Sequence, residues 1–376
     1  MKQSEYIGNG SIQRIQNILD FHHPHKIFLV TGKKSYSHSG AKEALNPILS
    51  RYSTSRFSDF SPNPKLEDIQ KGIEVVANKG GDIIIAIGGG SVLDVAKAVN
   101  ILSAQDGDPI TYIKGERQIR KCGRPLIGVP TTTGSGSEAT QFAVIYVQGI
   151  KYSLEHESIL PMYAVVDPQL TLSMPKKLAA SSSLDALSQA IESLWSVNST
   201  NKSREYSEKA IRMMVKHIRR SVNSSSVKSR EAMAESAHLA GKAINITKTT
   251  AAHALSYGIT TRFFIAHGHA VALNLGRMLE YNADVTAVDC NDKRGPAYVQ
   301  KVIHDLIKML GCSNAREARS FLDTLIEDLG LENRFEQLGI NNDGIEWIAR
   351  QANIYRLLNN PRKLTDSNIL SRILKT

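Results

Sequence analysis

Three short apolar runs, each cut off by a glycine or a glycine-rich turn, constrain this chain more than any other feature. Lys26-Ile27-Phe28-Leu29-Val30-Thr31 stops at Gly32, and Asp82-Ile83-Ile84-Ile85-Ala86-Ile87 stops at Gly88-Gly89-Gly90. Pro125-Leu126-Ile127-Gly128-Val129-Pro130 stops at a turn rich in Thr, Gly and Ser. Continuous β-branched runs of this length read as strands covered on both faces. Between the first two, residues 65–79 carry Leu66, Ile69, Ile73 and Val76 at helical spacing. Strand and helix in that alternation predict a parallel sheet sheathed by helices. Residues 143–146 and 163–167 read as two further strands.

After Pro168 the character changes. From residue 177 onward there is no strong strand signal, but long helical patterns cover 203–222, 229–245 and 297–310. The expected organisation is therefore an α/β domain over 1–178 and an all-helical domain over 179–376, two domains being usual for 376 residues. A cleft between two such domains is the default ligand site. There is no internal repeat, and the Ser- and Asn-rich stretch from Ser221 to Ser229 is expected to be a surface loop.

Composition removes several classes. With 41% hydrophobic and 22% charged residues the chain is neither collagenous, coiled-coil nor disordered. The excess of 46 Lys and Arg over 36 Asp and Glu suits anionic ligands, but is spread too evenly for a nucleic-acid stripe. Three cysteines, Cys122, Cys290 and Cys312, form no CxxC pair, so neither a disulfide framework nor a thiolate zinc site is expected. Residues 1–10 lack the build of a signal peptide, and no run approaches the roughly 18 apolar residues that span a bilayer. A cytoplasmic protein without a membrane partner is expected.

The run Gly88-Gly89-Gly90-Ser91 follows a strand and opens a helix expected over Val92 to Leu102, with Asp94 and Lys97 in its first turns. Backbone N–H groups and the positive helix end can face a phosphate there, and the missing side chains permit close approach. A second turn, Thr131-Thr132-Thr133-Gly134-Ser135-Gly136-Ser137-Glu138, follows the next strand and offers hydroxyls for a diphosphate and ribose. A tight turn without a ligand remains the plain alternative at either place. Adjacent strand ends carrying two such loops put a nucleotide at the carboxyl edge of the sheet.

The second half holds metal-ligand types. Asp185 and Gln189 are four apart on one helix face, as are His253 and Tyr257, and His267-Gly268-His269 adds two imidazoles. A carboxylate with two or three imidazoles can bind a divalent cation and keep a position open. Any one of these histidines read alone is more often a solvated or hydrogen-bonded residue than a ligand.

In order along nearly the whole chain, the glycine turn through Lys97, the Pro130 to Glu138 turn, Asp185-Ala186-Leu187, His253 and His267-Gly268 resemble the iron-containing (group III) alcohol dehydrogenases. The resemblance implies a Rossmann-like amino-terminal domain and a helical carboxy-terminal domain, the dehydroquinate synthase-like architecture. It further implies NADPH or NADH on the first and one divalent metal, Fe(II) or Zn(II), on the second, in a homo-oligomer, a dimer. The implied metal ligands are Asp185, Gln189, His253 and His267. The family has a histidine where Gln189 stands, so a weaker amide ligand or water is implied there. It often has a histidine at Tyr257 too, and Tyr257 joins Asp185, His253 and His267 in the implied catalytic set. The implied cofactor contacts are Gly32, Lys33, Gly88, Gly89, Gly90, Ser91, Asp94, Thr131, Thr132, Ser135 and Lys151. NAD-preferring relatives carry an aspartate at the end of the first strand; Gly32 followed by Lys33 and Lys34 implies a preference for NADPH.

Trp195 to Thr200, Ala243 to Thr250 and His267 to Val271 resemble more narrowly the phosphonoacetaldehyde reductase branch of that family. Its reaction, phosphonoacetaldehyde to 2-hydroxyethylphosphonate in phosphonate biosynthesis, implies a small anionic aldehyde as substrate, with Asn198, Lys248 and Thr249 as contacts. Lys248 among Thr247, Thr249 and Thr250 agrees in sign with an anionic tail, although a solvated lysine and capping threonines explain the same residues. Three alternatives stand beside this reading: an iron-type alcohol dehydrogenase for another short aldehyde or alcohol, a dehydroquinate synthase-like lyase, and a nucleotide-binding protein that has lost its metal.

Overall fold

The computed structural model describes residues 3–364 and 366–375; Met1, Lys2, Thr365 and Thr376 lie outside them. The chain divides into two compact units, Met1–Met174 and Pro175–Thr376, just ahead of the change of character read at residue 178.

In the first unit the order is β1 (Ser4–Ile7), α1 (Arg14–His22), β2 (Lys26–Thr31), α2 (Ser35–His38), α3 (Ala41–Leu49), β3 (Ser53–Phe57) and α4 (Leu66–Lys79). It continues with β4 (Ile83–Gly88), α5 (Gly90–Leu102), α6 (Pro109–Ile113), β5 (Leu126–Pro130), β6 (Phe142–Val147), β7 (Ile150–Glu155) and β8 (Tyr163–Val166). Six strands form one sheet in the order β1-β8-β5-β4-β2-β3, and every pair in it is parallel.

The alternation of the central strands splits the core in two. Phe28, Val30, Ile84 and Ala86 pack on Ile69, Val95 and Val99 of α4 and α5. Ile27, Leu29, Ile83, Ile85 and Ile87 pack on Ile15, Leu19 and Leu45 of α1 and α3. Each fully buried side chain of this size contributes about 1.5–3 kcal/mol, so the three central runs anchor the unit.

Three strands lay outside the sequence reading. Strands β1 and β3 are the sheet edges, largely exposed and built from Ser, Thr, Glu and Arg, so no apolar run marks them. Strand β7 pairs with β6 as a separate antiparallel hairpin closed by Gln148 and Gly149, both at positive φ, the backbone a tight hairpin turn needs. Helix α5 starts at Gly90 rather than at Val92.

The second unit contains α7 (Lys176–Trp195), α8 (Asn201–Asn223), α9 (Val227–Thr247), α10 (Ala251–Phe263), α11 (His267–Ala283), α12 (Pro296–Met309), α13 (Ala315–Asp328), α14 (Asn342–Arg350), α15 (Ile354–Leu357) and α16 (Ser367–Lys375). Helix α7 is the axis: it packs on α8, α9 and α11, and every residue from Leu184 to Trp195 is buried. The surface loop expected from Ser221 to Ser229 shrinks to residues 224–226. Helix α8 runs on to Asn223 and α9 begins at Val227, while Ser221 and Ser229 are wholly buried. The serines there act locally: the Ser226 hydroxyl accepts from the Ser229 N–H and caps α9. Among the described residues no helix is long and apolar enough to cross a membrane.

Candidate metal centre and nucleotide cradle

In the first unit, Gly88 pairs with Pro130 at the carboxyl ends of β4 and β5, and the Thr131 N–H donates to the Gly88 carbonyl at 3.0 Å. The turns that follow abut closely. A Cβ on Gly89 would lie 3.3 Å from Thr132 Cγ2, and one on Gly90 would lie 2.8 Å from Ser135 Oγ. Glycine is therefore the residue that lets the second turn close over the start of α5, whose first N–H groups have no intrahelical partner. A backbone-lined notch of this kind fits a diphosphate.

Asp94, expected among the cofactor contacts, is committed within the protein. One oxygen accepts from Ser137 Oγ at 2.6 Å and the other from the Val144 N–H at 3.1 Å. Lys97 Nζ lies 3.9 Å from Asp94 and donates to Ser137 Oγ, Thr140 Oγ1 and the Phe142 carbonyl at 2.8, 2.9 and 2.7 Å. The pair braces the second turn from beneath. Burial pushes the Lys97 amine down to about 8 against the pull of Asp94 and Glu138. Burial likewise raises Asp94, with Lys97, Ser137, Val144 and Lys151 of β7 opposing it. Two residues absent from the sequence reading also adjoin this edge. Asn63, at φ 59°, directs its N–H to Ser91 Oγ at 3.4 Å, and Arg56 donates to the Gly32 carbonyl at 3.1 Å. Lys33 itself is paired with Asp59 at 2.9 Å.

In the second unit, Asp185 of α7, His253 of α10 and His267 at the start of α11 converge. One donor atom from each lies within 4.8 Å of the others. The approach of α11 to α7 depends on Gly268, where a Cβ would run into the Ser181 carbonyl and lie 2.7 Å from Asp185 Cβ. His253 Nε2 is 3.3 Å from Asp185 Oδ1. The rings of His253 and His267 stand edge to face at 5.5 Å, and Tyr257 stacks on His267 at 6.3 Å. His269 turns away, its Nε2 2.6 Å from the Glu332 carbonyl. Gln189, one helical turn on from Asp185, is buried.

Glu192, wholly buried, is the residue that the sequence reading missed. One oxygen meets His253 Nδ1, and the other accepts from the Thr250 hydroxyl at 2.8 Å and from the N–H groups of Thr250 and His253 at 3.2 Å. Burial alone pushes the His253 imidazole down, but the Glu192 and Asp185 carboxylates outweigh it and raise it to about 9. Two carboxylates around one imidazole make a place that demands positive charge, and one oxygen with two imidazole nitrogens fits a divalent cation. The spacing Asp185, Gln189, Glu192 was a usable signal, because i, i+4 and i+7 share a helix face.

The expected substrate contacts divide. Lys248 ends α9 with φ 61° and ψ 177°, a conformation that non-glycine residues rarely adopt. Thr249 is buried. Asn198 does not offer its amide hydrogens outward: Nδ2 donates to Asn359 Oδ1 at 3.0 Å and approaches the Thr247 carbonyl at 3.5 Å. It ties loops together because Arg294, paired with Asp292 at 2.6 Å, clamps the 196–199 loop through the carbonyls of Ser196, Val197 and Ser199.

Residues 3–168 match the family described as iron-containing alcohol dehydrogenase, and residues 179–376 match the Fe-containing alcohol dehydrogenase family, C-terminal. The chain belongs to the iron-containing alcohol dehydrogenase family. Within it, this member is 35% identical over 306 residues to the phosphonoacetaldehyde reductase of Streptomyces viridochromogenes, covering 78% of this chain and 75% of that protein. It is 36% identical to Long-chain-alcohol dehydrogenase 1 of Geobacillus thermodenitrificans, a match that spans 61% of this chain and 59% of that protein's length. The crystal structure of sulfoacetaldehyde reductase from Bifidobacterium kashiwanohense in complex with NAD+ superimposes with a TM-score of 0.89 at 27% identity, covering 99% of this chain and 96% of that one.

Proposed function

We propose that this family member reduces a short aldehyde to its primary alcohol with NAD(P)H at a divalent metal, and that phosphonoacetaldehyde, giving 2-hydroxyethylphosphonate, is its substrate. The observation that carries the reading is the convergence of Asp185, His253 and His267 within 4.8 Å. That donor set suits Fe(II) or Zn(II), with Gln189 or water completing the shell. When bound, the cation supplies Lewis acidity toward a carbonyl oxygen and the nicotinamide supplies hydride.

The chain's own residues do the rest. The glycine and threonine turns hold the diphosphate, and Lys97 with Asp94 keeps the second turn in place. Glu192 keeps His253 Nδ1 occupied, so that Nε2 faces Asp185 and the cation. Tyr257, stacked on His267, is the hydroxyl assigned to carry the proton to the alcohol oxygen. Lys248 supplies positive charge for an anionic tail, three residues before the turn that bears His253. Support for that tail comes from two of the proteins named above, whose names specify two-carbon aldehydes bearing an anionic group. Gly32 in place of an acid supports NADPH over NADH.

The long-chain alcohol dehydrogenase relative favours a second reading, a neutral aldehyde or alcohol substrate. NADPH oxidation by the metal-loaded enzyme with phosphonoacetaldehyde, sulfoacetaldehyde and propanal separates the two. Higher kcat/KM for propanal than for either anionic aldehyde overturns the proposed substrate.

A further inference from the structure

We infer that Arg56 is the receptor for the 2′-phosphate of NADPH. The inference rests on the reading just given, in which the dinucleotide lies along the two turns after β4 and β5.

Strand β2 lies between β3 and β4, with Thr31 in register with Ile87 and Leu29 with Arg56. The carboxyl end of β2 therefore adjoins the glycine turn, and a Cβ on Gly32 would lie 3.8 Å from Val92 Cγ2 in the first turn of α5. A ribose leaving the phosphates toward β2 meets a residue with neither side chain nor carboxylate. Arg56 reaches across that point. Its Nε donates to Thr31 Oγ1 at 2.7 Å, its Nη2 donates to the Gly32 carbonyl at 3.1 Å, and its guanidinium carbon sits 5.3 Å from the centre of the Tyr36 ring. With Nη2 also 3.5 Å from the Lys33 carbonyl, four contacts hold the exposed guanidinium, while Nη1 makes no hydrogen bond among the described residues. A planar cation held this way presents its Nη1 hydrogens to a phosphomonoester.

The neighbouring charges agree. Asp59 is engaged by Lys33 at 2.9 Å and lies 4.0 Å from Lys71, and Glu43, exposed on α3, bears electrostatically on Tyr36. Lys34 is exposed in the turn after Gly32. A dianion beside Gly32 meets net positive charge, and Arg56 is the cation whose position is fixed.

Calorimetric titration of wild type, Arg56→Ala and Arg56→Gln with 2′,5′-ADP and with 5′-ADP tests this without turnover. Arg56→Gln keeps a donor for Thr31 while removing the charge, and thermal midpoints report folding. Wild type should prefer 2′,5′-ADP, and both variants should lose about 10–100-fold in affinity for it with about twofold change or less for 5′-ADP. The ratio of kcat/KM for NADPH to that for NADH should fall in parallel. Wild type binding the two probes equally overturns the NADPH reading and this inference with it. A wild type that prefers 2′,5′-ADP, with variants that keep the preference or weaken both probes equally, overturns the role of Arg56 alone.

Discussion

The buried Glu192 carboxylate accepts from Nδ1 of His253, the imidazole whose Nε2 faces Asp185 at 3.3 Å. Since a ring nitrogen that holds a proton for a carboxylate cannot also ligate, the contact fixes which nitrogen is available. The same carboxylate anchors the turn before α10 through Thr250, whose hydroxyl also accepts from Trp195 Nε1 at 2.9 Å. Glu192 is thus a positioning residue that joins the last turns of α7 to the histidine on α10.

Replacing Glu192 with Gln removes the charge and sets an amide against donors that need an acceptor. Metal affinity should fall about 10–100-fold, read by competition with a chelator on protein whose circular dichroism matches wild type. Unchanged affinity would remove Glu192 from the positioning role.

His267 is the third donor of the cluster, and His269, two residues on, is turned to the Glu332 carbonyl instead. His267→Ala should lose both bound metal and turnover. Full activity in a metal-free preparation of that variant would sink the metal-centred reading.

Lys248→Ala discriminates between substrates. Losing the charged partner of a desolvated anion costs about 2–5 kcal/mol, so kcat/KM for phosphonoacetaldehyde should fall steeply while that for propanal barely changes. An equal loss on both removes Lys248 from the tail.

Lys97 makes stability depend on pH in a stated window. Its amine titrates at about 8 in the folded protein against 10.5 for the ordinary value. Above 10.5 the amine is neutral in both states. As pH falls from 10.5 toward 8 the unfolded chain takes up a proton that the folded one does not, so stability is lost across that window and is level below it. In urea unfolding, wild type should therefore gain about 3 kcal/mol relative to Lys97→Met between pH 8 and 10.5. A level difference would show an ammonium accommodated there without penalty.

Strands β2, β4, β5 and β8 and the turns after β4 and β5 were legible in the sequence. A strand buried on both faces must be apolar throughout, and a turn that admits a neighbouring backbone must shed its side chains. Asp185, His253 and His267 were legible as ligand types from residue kind and spacing, but their selection as one set came from the family resemblance, because spacing within each helix says nothing about which helices meet. Strand β6 and helices α4, α8, α9 and α12 also showed in the residues, through a short apolar run or helical spacing, and tertiary structure decided what carried no such pattern. Edge strands β1 and β3 are held by backbone hydrogen bonds that any polar residue can make, so no pattern announced them. Asp94 and Asn198 carry the side chains a ligand would use, yet packing directs them to Ser137 and to Asn359. Glu192 and His253 are 61 residues apart in the chain and touch because α7 lies buried against the helices around it. Local periodicity records which face of an element is buried, whereas the partner found on that face is set by the packing of distant segments.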